Sequence, residues 1–352
     1  MKERLKRLRK TFRKNKISAL FVSDLSNIKY LSGFSGTAAF LLVTPTKAIL
    51  FTDSRYFERC KTEVSKYFSL QIITTTVTAP LESHLKKERI KNLGVEVLSL
   101  SHHQFSTLKK DLSCCKLIST VNIIEQLRQI KDKNEILKLK KAINLNDQAF
   151  SFMKKTLFKK QLTASELSLS SEIYIKKKGA QGFAFNPIIT FGKDSASPHA
   201  LLTKRPLRDN DSILIDFGTQ LDEYHSDLTR VYFKKKYHGK LKEIYKIVLE
   251  AQQKAIAAIK PGITASLIDK IARDYIKSYG YEKYFGHSLG HGIGLQVHEL
   301  PAISSRSKQI LEPGMVFSIE PGIYLPGTGG VRIEDLIMVT EKGCQTLSKT
   351  QK

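Results

Sequence analysis

The acidic and histidine-bearing segments of this chain that could hold a reactive centre all fall in its second half. Ile213-Leu-Ile-Asp216-Phe-Gly218 is an apolar run that ends by presenting a carboxylate beside a glycine. Eleven residues later, His225-Ser-Asp227-Leu-Thr-Arg230 presents another. The polar stretch 220–223 between them suits a hairpin tip, so two paired strands could bring the aspartates together. Taken alone, the pair fits two ordinary strand-end aspartates better than a reactive site. Asp-Phe-Gly also occurs in protein kinases, but no Gly-rich nucleotide loop or His-Arg-Asp loop accompanies it here.

Phe285-Gly-His287-Ser-Leu-Gly-His291-Gly-Ile-Gly-Leu-Gln-Val-His298-Glu299 puts three of the nine histidines within twelve residues. His287 and His291 have i,i+4 spacing, but Ser288 stands where a zincin requires glutamate. Gly290, Gly292 and Gly294 argue against a regular helix and for backbone passing close to a ligand or another strand. A solvated Gly-His loop is the plainer alternative. Phe317-Ser-Ile-Glu320-Pro-Gly322 and Gly330-Val-Arg332-Ile-Glu334-Asp335 set acids within β-prone apolar runs, with a Pro-Gly-rich turn between them. A carboxylate in such a run is costly unless it is paired or binds metal. Four such acids in one pocket would repel one another, and divalent cations would cancel the repulsion. Oxygen-rich ligation with one imidazole suits Mn²⁺, Co²⁺ or Fe²⁺, with Zn²⁺ as an alternative, and does not resemble a structural zinc site.

The elements that must position these residues are readable from periodicity. Residues 19–22, 38–43, 48–52, 70–76, 93–98 and 117–121 read as strands, separated by turn residues and basic helical runs. Residues 1–16 hold nine cations, with Leu5, Leu8 and Phe12 at helical spacing. Residues 122–158 read as long, helical and charged. Thr163-Ala-Ser-Glu166 has capping-box spacing and opens a helix to about Lys178. Strand-like segments flank Asn186-Pro187 and run through 212–217. Glu243–Ile259 is an amphipathic helix stopped by Pro261-Gly262, and a second spans about 266–279 before Gly280. The last seventy residues return to strands. The change of texture near 120–132 predicts two domains, residues 1–125 and 126–352, with the chemistry in the second.

Composition narrows the class. At 352 residues, 41% apolar and 26% charged, the chain is globular, and no apolar stretch approaches a membrane span. No apolar h-region follows the basic N-terminus, so a secretory leader is not expected. Cys60, Cys114, Cys115 and Cys344 show no metal-binding spacing and read as reduced thiols, which points to the cytoplasm. The net charge of +25 raises the question of nucleic acid, yet the cations are spread along the chain in groups such as Lys176–Lys178 and Lys234–Lys236. They read as a solvated surface. Neither a nucleic-acid nor a membrane partner is expected.

The ordered set Asp216, Asp227, His291, Glu320 and Glu334, with its flanking sequences, resembles the dinuclear site of the pita-bread metallopeptidases over about residues 130–345. Pro198-His199, His-Ser-Leu-Gly-His and Gly-Val-Arg-Ile-Glu-Asp are most similar to the prolidase and aminopeptidase P branch. Leu31-Ser-Gly-Phe-Ser-Gly36 and Phe51-Thr-Asp-Ser-Arg-Tyr56 also resemble bacterial members. The resemblance implies an α+β chain, with a small creatinase/prolidase-like α/β domain before a pita-bread catalytic domain. It implies two divalent ions, Mn²⁺ foremost, with Asp216 chelating one, Asp227 and Glu334 bridging both, and His291 and Glu320 completing the other shell. A hydroxide held between them would attack the scissile carbonyl. Glu320 would pass the water's proton to the leaving nitrogen, and His199 and His298 would stabilise the tetrahedral intermediate or assist that transfer. His287 and Tyr324 would line the substrate site, and Arg332 would orient the ligand shell.

The activity so implied is Xaa-Pro aminopeptidase action on peptides with proline second, in a homodimer. A strict Xaa-Pro dipeptidase is the alternative. Methionine aminopeptidase and a catalytically silent binding protein of the same fold are weaker readings, since the first usually lacks the N-terminal domain and the second loses metal ligands.

Overall fold

The computed structural model describes residues 1–157, 162–234 and 236–352, which divide into two units, Met1–Arg128 and Gln129–Lys352. In the first, β1 (Ala19–Val22), β2 (Ala39–Val43) and β3 (Ala48–Thr52) are nearly wholly buried apolar runs, as central strands covered on both faces require. With β4 (Ser69–Ile72), β5 (Asn92–Glu96) and β6 (Lys116–Thr120) they form one sheet in the order β4-β3-β2-β1-β5-β6. β1, β5 and β6 are parallel neighbours, and β2 and β3 form a hairpin closed by Thr44–Lys47. The helices are α1 (Lys2–Thr11), α2 (Leu25–Ser32), α3 (Phe57–Glu63), α4 (Thr78–Lys87), α5 (His102–Asp111) and α6 (Glu125–Arg128). α1 buries Leu5 and Leu8, with buried Phe12 just past its end, which is the stripe that the spacing predicts.

The second unit opens with α7 (Lys133–Leu157), which buries Leu139, Ala142, Ile143, Ala149, Phe150 and Met153 along one stripe. The helical reading of 122–158 is thus interrupted. Residues 129–132 are extended enough for Ile130 to bridge Met315, and the Asp132 carboxylate restarts the helix by accepting from Asn134 and Glu135 N–H at 3.0 Å. Phe158, the last residue of that reading, lies outside the described residues, as does Lys235. α8 (Ala164–Lys177) begins with the predicted capping box between Thr163 and Glu166.

Two small sheets and one larger one then frame the site. β7 (Gly182–Phe183), β8 (Ile188–Phe191), β9 (Ser212–Asp216), β10 (Thr219–Leu221), β11 (Tyr224–His225) and β12 (Thr229–Phe233) assemble as β12-β9-β8 and β11-β10-β7. After α9 (Leu241–Ala257) and α10 (Ala265–Ser278), β13 (Gly290–Gly292), β14 (Glu299–Ile303), β15 (Val316–Ile319), β16 (Gly322–Leu325), β17 (Gly329–Arg332), β18 (Asp335–Thr340) and β19 (Gly343–Thr346) follow. Five of these make a sheet in the order β14-β13-β15-β18-β19, and β16 pairs with β17. Ile244 and Val248 of α9 and Ile268 and Ala272 of α10 join Phe317, Ile319, Val331 and Ile337 in one apolar core behind the sheet. No helix among the described residues is long and apolar enough to cross a membrane.

One buried acid of the first unit makes its stability depend on pH. Glu96, at the end of β5, accepts from the N–H groups of Ser23 (2.7 Å) and Asp24 (2.9 Å) and from the Asn27 amide (2.7 Å). Burial pushes its carboxyl from the ordinary 4.5 up to about 7, against the pull of those donors and with the help of Glu125. A carboxyl raised in the folded state binds its proton more tightly there than in the unfolded chain. Its contribution is therefore fully present below about pH 4.5 and is lost as the pH rises through about 7. Glu96→Gln cannot titrate, so the stability difference between it and the parent should shift in favour of the variant by on the order of 3 kcal/mol between these pH values. Urea unfolding of both proteins across that range reads the difference. A pH-independent gap would contradict the assignment.

Candidate metal centre

Each acid sits where its strand stops or turns. Asp216 closes β9, opposite Thr229 at the start of β12. The hairpin anticipated between the two aspartates is present, with Leu221 paired to Tyr224 and the turn at Asp222-Glu223. Asp227 lies just ahead of β12, Glu320 just beyond β15, and Glu334 in the link between β17 and β18. His291 is the middle residue of β13, whose register against β14 shifts between His291 and Gly292. Such a bulge re-aims the side chain. Gly290 lets β13 approach β15, since a Cβ there would lie 1.9 Å from the Ser318 carbonyl oxygen. The glycines of the histidine segment therefore serve a close strand contact.

The ligand-capable atoms of Asp227, His291 and Glu334 lie within 4.8 Å of one another. His291 Nε2 is 3.2 Å from Glu320 Oε1 and 3.6 Å from Asp227 Oδ2. Its Nδ1 faces the Gly292 carbonyl at 3.1 Å, and a proton held there leaves the Nε2 lone pair, on the side of the acids, for a cation. The Arg332 guanidinium grips Asp216 Oδ2 and donates to Thr229 Oγ1 (3.0 Å), the Pro198 carbonyl (3.2 Å) and Tyr324 Oη (2.8 Å). Thr229 Oγ1 in turn donates to Glu334 Oε2 at 2.8 Å. Ser318 Oγ accepts from His291 N–H (3.0 Å) and donates to Glu320 Oε1 (2.9 Å).

The remaining oxygens decide whether a cation fits. Asp216 Oδ1, Asp227 Oδ1 and Glu334 Oε1 are buried and find no hydrogen-bond partner among the described residues. Buried polar atoms are almost always satisfied, so three unpartnered carboxylate oxygens beside an imidazole lone pair form a cradle for hard divalent cations. Electrostatics agrees. Burial, with the charges of Glu334, Asp216 and Glu320, pushes Asp227 well above the carboxylate range. Burial and the charges of Glu320 and Asp216 do the same to Glu334. Burial also raises Asp216, against the opposing charge of Arg332. Burial would lower His291, but its bond to Glu320 and the surrounding acids raise it to about 9. Glu320 moves the other way: burial would raise it, yet His291 holds it down at about 2.

The supporting residues divide by position. His199 and His298 lie on the wall of a cleft of about 1180 Å³ that reaches Asp216, Asp227, His291, Glu320 and Glu334. The His298 ring centre is 4.2 Å from that of His291. Burial, the His291 charge and His199 lower its pKa. His287 is on the same wall, its Nε2 3.1 Å from Tyr324 Oη. Tyr324, expected to line the substrate site, is instead buried behind Arg332 and His287, because its hydroxyl is the joint between them. Thr229 and Ser318, which each tie two site residues together, were not singled out in the sequence. Their only signal was a small hydroxyl two residues from an acid.

Residues 137–341 match Metallopeptidase family M24, and residues 4–130 match the Creatinase/Prolidase N-terminal domain. The chain belongs to metallopeptidase family M24. This M24 chain is 38% identical to the Xaa-Pro dipeptidase of Pyrococcus horikoshii, over 100% of its own length and 98% of that protein's. It superposes with a TM-score of 0.95 on the Xaa-Pro dipeptidase from Bacillus anthracis, at 36% identity over 99% and 98% of the two chains. The TM-score is 0.87 on the X-Pro aminopeptidase from Thermotoga maritima, at 35% identity over 97% of each chain. The α+β architecture expected from the sequence, a creatinase-type N-terminal domain before a pita-bread catalytic domain, is therefore that of the M24 peptidases. Divalent cations are the family's cofactor class, and the donor set of the chain fits them.

Cation binding to this cluster must displace protons. Asp227, Glu334 and His291 are all raised above their ordinary values, His291 to about 9, so at pH 7 the free protein carries the His291 proton, which a cation expels. Calorimetric titration of the metal-free protein with Mn²⁺, in two buffers of different ionisation enthalpy, should show net proton release at pH 7 and tighter binding at higher pH. Binding without proton release would contradict the crowded-acid picture.

Proposed function

We propose that this M24 peptidase is an Xaa-Pro dipeptidase working with two divalent cations, Mn²⁺ foremost, held by Asp216, Asp227, His291, Glu320 and Glu334. The three unpartnered buried carboxylate oxygens beside His291 Nε2 carry the metal part of this reading. The peptide part rests on full-length likeness to proteins named Xaa-Pro dipeptidase. It reverses the preference for an aminopeptidase drawn from the sequence, and the Thermotoga maritima likeness keeps the aminopeptidase as the second reading.

Bound cations supply an activated water and Lewis-acid polarisation of the scissile carbonyl. The chain's own groups handle the rest. Glu320 accepts the proton of the attacking water. Burial would raise its pKa, but His291 holds the carboxylate ionised in the free protein, so it stands in the accepting form. The nitrogen of an Xaa-Pro bond has no hydrogen, so the leaving proline must receive a proton, and Glu320 delivers it. His298, held neutral by its surroundings, and His199 beside it on the cleft wall donate to the carbonyl oxygen as charge develops. Arg332 fixes Asp216 and, through Thr229, Glu334, so that the carboxylates do not splay apart.

Hydrolysis of Xaa-Pro dipeptides should be abolished by EDTA and restored by Mn²⁺, and Asp227→Ala or Glu334→Ala should reduce it to background. Turnover retained in either variant would contradict their ligand roles. Parallel assay of Xaa-Pro and Xaa-Pro-Yaa peptides separates the two specificities. Dipeptide cleavage alone supports the first reading, and efficient release of the N-terminal residue from tripeptides replaces it with the second.

A further inference from the structure

Three connections of the first unit meet along one edge of its sheet. α1 leads into β1, α4 into β5 and α5 into β6, and these strands are parallel and adjacent in the order β1-β5-β6. The segments 12–18, 88–91 and 112–116 therefore lie side by side. Ser18 N–H donates to Asn92 O at 2.8 Å, the Asn92 amide to Lys16 O at 3.3 Å, and Lys116 N–H to Lys91 O at 2.8 Å. Along this edge stand Arg13, Lys14, Lys16, Arg89, Lys91 and Lys116, all exposed, with no side-chain hydrogen bond or ion pair to any described residue. The one acid in the three segments, Glu88, is taken by Lys47 and Thr46. Asp111 ends α5 nearby, preceded by Lys109 and Lys110. Cations in the last helical turns, such as Lys10, Lys87 and Lys110, complement the carbonyl ends of their helices. The six beyond those ends are surplus to that need.

We infer that this edge is a binding surface for the phosphate backbone of a nucleic-acid duplex. Neighbouring strands are about 4.8 Å apart, so the three connections form a ridge roughly 10 Å wide, lined by long cationic side chains. The aliphatic and aromatic residues of the segments, Phe12, Ile17, Ile90 and Leu112, are all buried, and Cys114 and Cys115 pack half-buried against the same core. Nothing apolar is left to enter a bilayer, and no aromatic ring is offered on which unpaired bases could stack. A polyanion that presents phosphates on its outside is the occupant that fits. Along the sequence these cations are up to about a hundred residues apart, which is why the chain read as evenly basic.

The test is binding of the full chain to a fluorescein-labelled DNA duplex by anisotropy across salt, beside vesicles containing anionic phosphatidylglycerol. Removing three phosphate contacts should reduce the slope of log K against log salt by about 2.7. The triple variant Lys14→Gln, Lys91→Gln, Lys116→Gln should show that loss. A control with Lys242→Gln, Lys246→Gln and Lys342→Gln, exposed lysines of the other unit, should match the parent. Peptide hydrolysis should be unchanged in both, showing that each is folded. Equal weakening by the two triples overturns the inference, as does absence of duplex binding by the parent. Vesicle binding that depends on the first triple, with no such dependence for the duplex, replaces it with a membrane surface.

Discussion

The crowding of four carboxylates in a buried pocket is the constraint on which the second unit is built. Asp216, Asp227, Glu320 and Glu334 meet Arg332 and His291 as nearby cationic partners, with His287 beside Glu320. Removing each charge from water costs several kcal/mol, and mutual repulsion adds to it. Protons offset that cost in the free protein, and divalent cations would offset it further. The fold must hold the acids together against their own electrostatics until the cations arrive.

It does so from behind. Successive residues of β12 face opposite ways. Thr229 turns toward the site and bonds both Arg332 and Glu334, while Arg230 turns away and grips the Glu334 carbonyl and the Asp335 carboxylate. Arg230 also donates to Thr350 O at 2.7 Å, and Asp147 of α7 accepts from the Lys349 and Thr350 N–H groups. A tail of no evident chemical interest thereby becomes part of the brace behind a ligand-capable acid. Gln252 of α9 adds to it by donating to the carbonyls of Ile319 and Ile333, the residues immediately before Glu320 and Glu334. Two acids are thus located by bonds from the buried Gln252 side chain to the carbonyls that precede them.

How much of this was legible follows from the range of each interaction. The strands of the first unit, the Asp216–Asp227 hairpin, the Thr163 capping box and the stop at Gly280 are local, and their residue types announce them. The break at 129–132 had a local sign in the Asp132-to-Glu135 spacing, but apolar periodicity on both sides masked it. The candidate ligands stand out in the sequence because acids in apolar β runs conflict with burial unless something answers them. Thr229, Ser318 and the place of Tyr324 do not, because a hydroxyl costs little wherever it falls and acquires its role only from partners distant in sequence. The buried Lys131–Glu299 pair, 2.8 Å apart, joins residues whose separation no local pattern spans.

The same reasoning explains why the metal chemistry reads more clearly than the peptide. A divalent cation demands particular atoms in a particular number, and only Asp, Glu and His supply them. The wall of the cleft demands only shape and an occasional charge. Phe183, Phe185, Pro187, Leu201 and Val297 make an apolar surface that many residue combinations could make equally well. A group that captures the free carboxylate of a dipeptide needs one cation or hydrogen-bond donor at the right distance, and it can come from any element that borders the cleft. Substrate length is therefore written in position, and the chemistry is written in residue type.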